Sequence, residues 1–535
     1  MTHDELKRLI KIEDRIHQIA AEMGLKYVPI EWDIVPPPKM LEIMAYRGPT
    51  QVSSWKFGRD YERIRTMYDH GMNIPLEVVI NDNPARAYLM NTNPLAVQVL
   101  VMAHVIGHVH FFTQNKLFKS NRRDICGLLA DAYTRFNEYE HNYGYKAVEK
   151  TIDAAHALQF HSDPFYNETE EERRQKVFDQ RKISLKPTKH SFADLTESDS
   201  KDTTKEEIEN VNARIWNELR KKTPVEPVED LLRYIVDASR DLDVWQKDIL
   251  ETLRTEGQYY SPIIKTKVMN EGYATWIHEQ ILTRLFAEEV LTTDEHGQYN
   301  YANSLVVARD RKSLNPYLVG RDMWKTIKER WDKGQYGTEW DNETDYNKKA
   351  VWDTKEMNGL KKVNEVLESY TDWFFMQDFL TTKVIDDLDL YIYQKVKDGE
   401  MEKWVRTNHT SEQVRKIIVT SFAYSGIPKI EIMDGNYEGN GSLLMRHSND
   451  DLRLDEKYLV ETMRHIFYLW GRPVYLGCKI GPGDGQDALY KMDSDGEKLD
   501  KDKSNMKKGP HLTKAVPFTY FNPLLDRERF ILLDG

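Results

Sequence analysis

The chain has 535 residues, room for more than one domain and for a large buried core. Its 75 Lys and Arg against 87 Asp and Glu give a formal net charge of −12, which excludes a globally basic nucleic-acid binder. With 12 Trp and 29 Tyr it is too aromatic for a disordered protein, and its two cysteines, Cys126 and Cys478, cannot build a disulfide framework, so a reducing, cytoplasmic compartment is expected.

The N-terminal MTHDELKRLIKIEDRIHQIAAEMG spreads charge along its length and reads as an amphipathic helix rather than a signal peptide. MNIPLEVVINDNP, residues 72–84, carries a β-prone core from Leu76 to Ile80 closed by a turn. LAVQVLVMAHVIGHVHFF follows, from Leu95 to Phe112, opened by Pro94. A membrane span needs roughly 20 apolar residues, and this run is marginal in length and holds Gln98 and three histidines, so a core helix is expected and no span. Helical patterns continue through DICGLLADAYTRFNEYEHNYG and YKAVEKTIDAAHALQF.

Residues 162–210 are charged and Ser/Thr-rich, which predicts a solvated insertion or linker, partly disordered. Helices resume at PVEDLLRYIV and run to about residue 393. Beyond that, SEQVRKIIVTSFAYSG, PKIEIMDGNY, GSLLMRHS, DEKYLVETMRHIFYLWG and PVYLGCKI read as α-β-β-α-β, with a mobile loop at about 481–510. The expected fold class is mainly α with a short β element in an N-terminal domain over 1–393, plus a small α/β domain over 394–535.

His104 and His108 are four residues apart, so on a helix they share a face and can share one cation, as in the H-E-x-x-H metalloproteases. His110 falls on another side of the helix and is not expected as a ligand. Glu271, in KVMNEGYATWIHEQI, lies near the start of a later helix beside Gly272 and Ala274, small residues that permit close helix approach. Two His on one helix and Glu on another form a zinc-type ligand set, with Mn or Fe as alternatives. Such enzymes place an edge strand beside the metal, and the 76–80 strand fits a zincin-like reading. His278, seven residues past Glu271, is a candidate fourth ligand or acid/base.

Val105 stands where H-E-x-x-H carries its proton-accepting Glu. Another carboxylate must therefore serve in any hydrolase. Glu256 in TEGQYYSP is the first candidate, with Glu138 and Glu140 behind it. The plain alternative places Glu256 at a helix end near Gly257, facing water.

LEVVINDNPARAYLMNTN, VMAHVIGHVHFFTQNKLF, IIKTKVMNEGYATWIHE, LNPYLVGRDMW and RHSNDDLRLDEKYLVETMRHIFYLWGRPVYL together resemble the SpoVR-like (stage V sporulation protein R) family, over most of the chain outside 162–210 and 481–510. The resemblance implies a role in spore cortex formation in spore formers. In other bacteria it implies a stress response beside a serine protein kinase and a von Willebrand-type protein. One departure is Ser54 in SSWKFGRD, where members often carry His. The resemblance supplies no settled activity, so two functions stay open. One is a metal-dependent peptidase or amidase acting on a peptide-like chain such as a peptidoglycan precursor. The other is a non-catalytic regulatory or scaffold protein with a zincin-like shell and a kinase partner.

Overall fold

The computed structural model describes residues 2–521 apart from 47–49, 71–76, 164, 165, 167, 183–204, 311, 312, 399, 400, 449–452, 481–485, 494–498 and 502–519. The protein is mainly helical, with a few small sheets. Its contacts gather into two compact units. One holds Met1–Glu149 and Thr255–Ile427, the other Lys150–Arg254 and Pro428–Phe521. Neither unit is a single stretch of chain, in contrast to the linear division expected near residue 393.

The first unit is built around one helix. In chain order its relevant elements are α1 (His3–Glu22), β1 (Ile30–Val35), β2 (Glu77–Ile80), β3 (Ala85–Met90) and α2 (Leu95–Gln114). They are followed by α3 (Val244–Lys265, whose last eleven residues lie in this unit), α4 (Lys267–Ala287), α5 (Thr293–Val306), α6 (Pro316–Asp332) and α7 (Asp372–Phe379). Every residue of α2 from Leu95 to Phe112 is buried. A helix that is apolar all round must be surrounded, and α1, α4 and α5 pack around it. It alone among the described helices is long and apolar enough to cross a membrane, yet the apolar window is 94% buried inside the fold.

The strands cover α2 as a three-stranded sheet ordered β1-β3-β2. The sequence reading held only β2. The central β3 pairs parallel with β1 and antiparallel with β2, Glu77 lying opposite Leu89. Alternate residues Ala85, Ala87 and Leu89 are fully buried in the cluster that contains α2, the period-2 pattern of a half-covered strand.

Glycines set the spacing of α2, α4 and α6. A Cβ on Gly107 of α2 would lie 2.6 Å from the Ala274 Cα of α4, and one on Gly272 of α4 would lie 2.2 Å from the Gly320 backbone of α6. The three helices therefore touch backbone to backbone. Three hydrogen bonds lock α4. Trp324 Nε1 of α6 donates to Met269 O at 2.9 Å, and the Asp372 carboxylate of α7 accepts Val268 N–H and Met269 N–H at 2.8 and 2.9 Å. These are orphan donors of the first helical turn.

The second unit holds a five-stranded sheet. Its elements are β4 (Ile430–Tyr437), β5 (Ser442–His447), α8 (Glu456–Trp470), β6 (Val474–Ile480), β7 (Gln486–Met492) and β8 (Leu499–Lys501), in sheet order β8-β7-β6-β5-β4. Only β5 and β6 are parallel, joined through α8. Val228 bridges Ile432 through bonds of 3.1 and 2.7 Å, which attaches the 150–254 stretch to this sheet. The helix Ser411–Ser421, expected beside the sheet, belongs to the first unit.

Two expectations are corrected here. The solvated 162–210 insertion contains the helix Glu170–Arg181 and the first six residues of the helix Lys205–Lys221, while 183–204 lies outside the described residues. The two helices meet through Phe178 and Trp216, 5.0 Å between ring centroids, and through buried Val177 and Leu219. These few apolar side chains are hidden among charges in the sequence, but they fall on one face of each helix. The 481–510 loop supplies β7 and β8, and the rest of it lies outside the described residues.

Two outcomes follow from this packing. Gly320→Ala places a Cβ 2.2 Å from Val268 O and should cost about 1–3 kcal/mol or more of stability in urea denaturation, whereas Gly297→Ala in α5, with open space around it, should be neutral or stabilising. In the second unit, burial pushes His161 down to about 4. Its folded value lies below its unfolded value, so its contribution is complete above about pH 6.5 and is lost as pH falls toward 4. His161→Gln should flatten the acid limb of the stability–pH profile in that window, an effect of at most about 3 kcal/mol.

Candidate metal centre

The close contact of α2 and α4 brings their polar residues together in an antiparallel register. His104 faces His278, Gly107 faces Ala274, and His108 faces Asn270 and Glu271. Glu271 Oε2 lies 3.5 Å from His104 Nε2 and 3.3 Å from His108 Nε2. The three expected ligands therefore converge on one point. They are deeply buried, at 2% exposure for His104, 3% for His108 and 7% for Glu271.

A fourth group arrives from the sheet. Glu77, the first residue of β2, places Oε1 3.8 Å from His104 Nε2. Ligand atoms of Glu77, His104 and His108 all lie within 4.8 Å of one another. The sequence reading placed the strand beside the site but missed this residue. The available signal was an acidic residue at the open end of a strand that precedes the His helix.

The second nitrogen of each imidazole decides which atom is left for a ligand. His108 Nδ1 is 2.9 Å from Asn270 Oδ1, an acceptor only, so Nδ1 carries a proton and Nε2 is the atom free to ligate. His278 Nε2 is 3.0 Å from Asn303 Oδ1, and Asn303 Nδ2 donates to Glu279 Oε1 at 3.3 Å, which orients the amide. His278 thus carries its proton on Nε2 and offers a lone pair at Nδ1. His104 Nδ1, 3.0 Å away, donates to it. His104 Nε2 and Glu271 Oε2 are then left buried, near each other, and without a hydrogen-bond partner.

The charges are strongly coupled. Burial by itself raises the Glu271 carboxyl, but the Lys267 ammonium and then His108 outweigh it and hold Glu271 well below the usual carboxylate range. Lys267 Nζ lies 2.8 Å from Glu271 Oε1. Burial pulls His108 down, yet the nearby charge of Glu271 leaves it raised. A cation at this point would take the place of that proton. Tyr317 of α6 faces Glu271, and burial, followed by the charges of Glu271 and Glu77, lifts its hydroxyl well above its ordinary range, so it stays an O–H donor.

The donor set also fits a small tetrahedral ion. Bonds of about 2.0–2.1 Å to such an ion separate its ligand atoms by about 3.3 Å. The two distances from Glu271 Oε2 to the imidazoles, 3.3 and 3.5 Å, are close to that separation.

The other candidates lie as follows. His278 is fully buried behind His104 with both ring nitrogens engaged. Glu256 neither ends a helix nor faces water. Helix α3 runs through Gly257 to Lys265, and Glu256 is fully buried, accepting Val52 N–H at 2.7 Å. Its environment is the 50–54 segment, where Thr50 meets Tyr260 at 2.5 Å. Glu138 is exposed and Glu140 half-buried on the helix Ile125–Tyr143. His110 points away from the pair, accepts Lys26 N–H at Nδ1 (2.9 Å) and stacks on Tyr273. Ser54 is buried, and its carbonyl accepts Phe57 N–H at the start of the helix Lys56–Asp69.

Comparison with known proteins gives the class. Residues 3–427 match the family described as SpoVR like protein, and 428–479 match the SpoVR-like C-terminal domain. The chain belongs to the SpoVR-like family. A curated relative from Escherichia coli (strain K12), "Uncharacterized protein YcgB", is 27% identical over 490 residues, covering 86% of this chain and 90% of that protein. No solved structure matches the chain.

Proposed function

We propose that the first unit is a metal-dependent hydrolase of amide bonds in peptide-like substrates, with zinc held by His104, His108 and Glu271 in a zincin-like arrangement. The observation that carries this reading is the convergence of His104 Nε2, His108 Nε2 and Glu271 Oε2, with both Nδ1 atoms tied back to Asn270 and His278. When bound, the ion supplies Lewis acidity that polarises a carbonyl and makes water easier to deprotonate.

The chain's own residues supply the rest. Glu77, close to the His pair but farther from it than Glu271, accepts a proton from water, the role that Val105 cannot fill. Tyr317 donates a hydrogen bond toward the oxygen that gains negative charge, and Lys267 keeps Glu271 ionised and in place. β2 is an edge strand among the described residues, and Glu77 is its first residue, so a substrate in extended form can lie along it and present an amide beside the His pair. Peptidoglycan-precursor peptides are the substrate class to test first.

Tag-free protein should contain stoichiometric zinc. His104→Ala, His108→Ala and Glu271→Ala should each lose it. Glu77→Gln should keep the metal while hydrolysis of stem-peptide amides falls about 10²–10⁴-fold. Added zinc at 1,000-fold over its Kd should stabilise the metal-free protein by about 4 kcal/mol. A tag-free protein that carries no zinc and is not stabilised by it ends the reading. The buried Val105 favours a second reading, a metal-binding scaffold without turnover that works through a kinase partner. Metal retention with no cleavage by the native chain would move the conclusion there.

A further inference from the structure

We propose that His278 and Asn303 act as positioning residues which, through Glu279, fix the proton of His104 on Nδ1 and so keep its Nε2 available to the metal, an inference that rests on the metal-site reading above. The chain of contacts is continuous. His104 Nδ1 meets His278 Nδ1 at 3.0 Å, and His278 Nε2 meets Asn303 Oδ1 at 3.0 Å. Asn303 Nδ2 then donates to Glu279 Oε1 at 3.3 Å. Arg321 Nη1 reaches Glu279 Oε1 at 3.1 Å and Lys325 Nζ reaches Oε2 at 2.6 Å.

Each link has one direction. Glu279 is held between two cations, so it only accepts. It therefore fixes which end of the Asn303 amide turns toward His278. The amide oxygen there requires a proton on His278 Nε2. His278 is fully buried and gives its Nε2 proton to Asn303 Oδ1, which leaves Nδ1 as its acceptor. His104 must then donate from Nδ1.

The arrangement gives α5 and α6 a part in a site to which they contribute no expected ligand. It also separates the two histidines expected to do chemistry. His104 faces the carboxylates, and His278 acts through His104. A core histidine satisfied for stability alone would need an acceptor and a donor of any kind. It would not need a polarised amide oriented by a carboxylate and two cations.

The test uses the full chain labelled with 15N-histidine, comparing wild type, Asn303→Leu and Asn303→Asp. The readouts are the nitrogen shifts of His104 without metal and the Zn2+ and Co2+ affinities by competition with a chromophoric chelator. In wild type the His104 proton should sit on Nδ1. Asn303→Leu should delocalise it and weaken both metals 10–100-fold. Asn303→Asp, which keeps an acceptor for His278, should restore both readouts. In protein that binds metal, one readout changing without the other overturns the proposal. If wild type binds neither ion, the metal reading fails separately, and the metal-free shifts still decide whether the chain sets the tautomer. Asn303→Ala, which removes the acceptor with less bulk, replaces the Leu variant should that fail to fold.

Discussion

Backbone contact between helices is the constraint on which the rest of the first unit depends. Imidazole and carboxylate side chains are short, and they meet across a helix pair only where the axes come unusually close. Gly107 against Ala274 provides that approach, and Gly272 against Gly320 repeats it on the opposite side of α4. With side chains removed from the crossing points, His104, His108, Asn270, Glu271 and His278 occupy the space beside them. The stacking of α2, α4 and α6 is thus both the packing solution of the core and the frame of the site.

Burying this many polar groups is costly unless each is paired. The unit meets the cost with specific partners, Asn270 for His108, His278 for His104 and Lys267 for Glu271. Two buried atoms left without a hydrogen-bond partner, His104 Nε2 and Glu271 Oε2, lie together at this point. His110, two residues beyond the pair on the same helix, shows the contrast. It is also buried, but a backbone N–H satisfies it and an aromatic ring covers it. The same residue type in the same apolar helix ends in two different roles, set by which face it occupies.

The two units divide the labour of folding differently. The first gathers helices around α2 and uses a small sheet to cover it. The second joins helices from the middle of the chain to a C-terminal sheet through the Val228–Ile432 bridge. The family assignment spans both, 3–427 and 428–479, while the converging polar groups lie in the first.

The sequence by itself determined features that depend on short-range spacing. His104 and His108 share a face because 3.6 residues make a turn, Gly272 and Ala274 mark a close approach, and the apolar run around them can only be a helix surrounded on all sides. Repeated motifs were also enough for the family. Tertiary structure alone decided the groups that arrive from elsewhere in the chain. Glu77 joins the site because β2 pairs antiparallel to β3 and lies over α2, a relation no local pattern encodes. Asn303 matters through a contact 25 residues from His278, and Glu256 is committed to a backbone amide 204 residues away. Local periodicity specifies which side of an element a residue occupies. What faces that side is set by the packing of distant segments, which is why the ligand pair was legible and its surroundings were not.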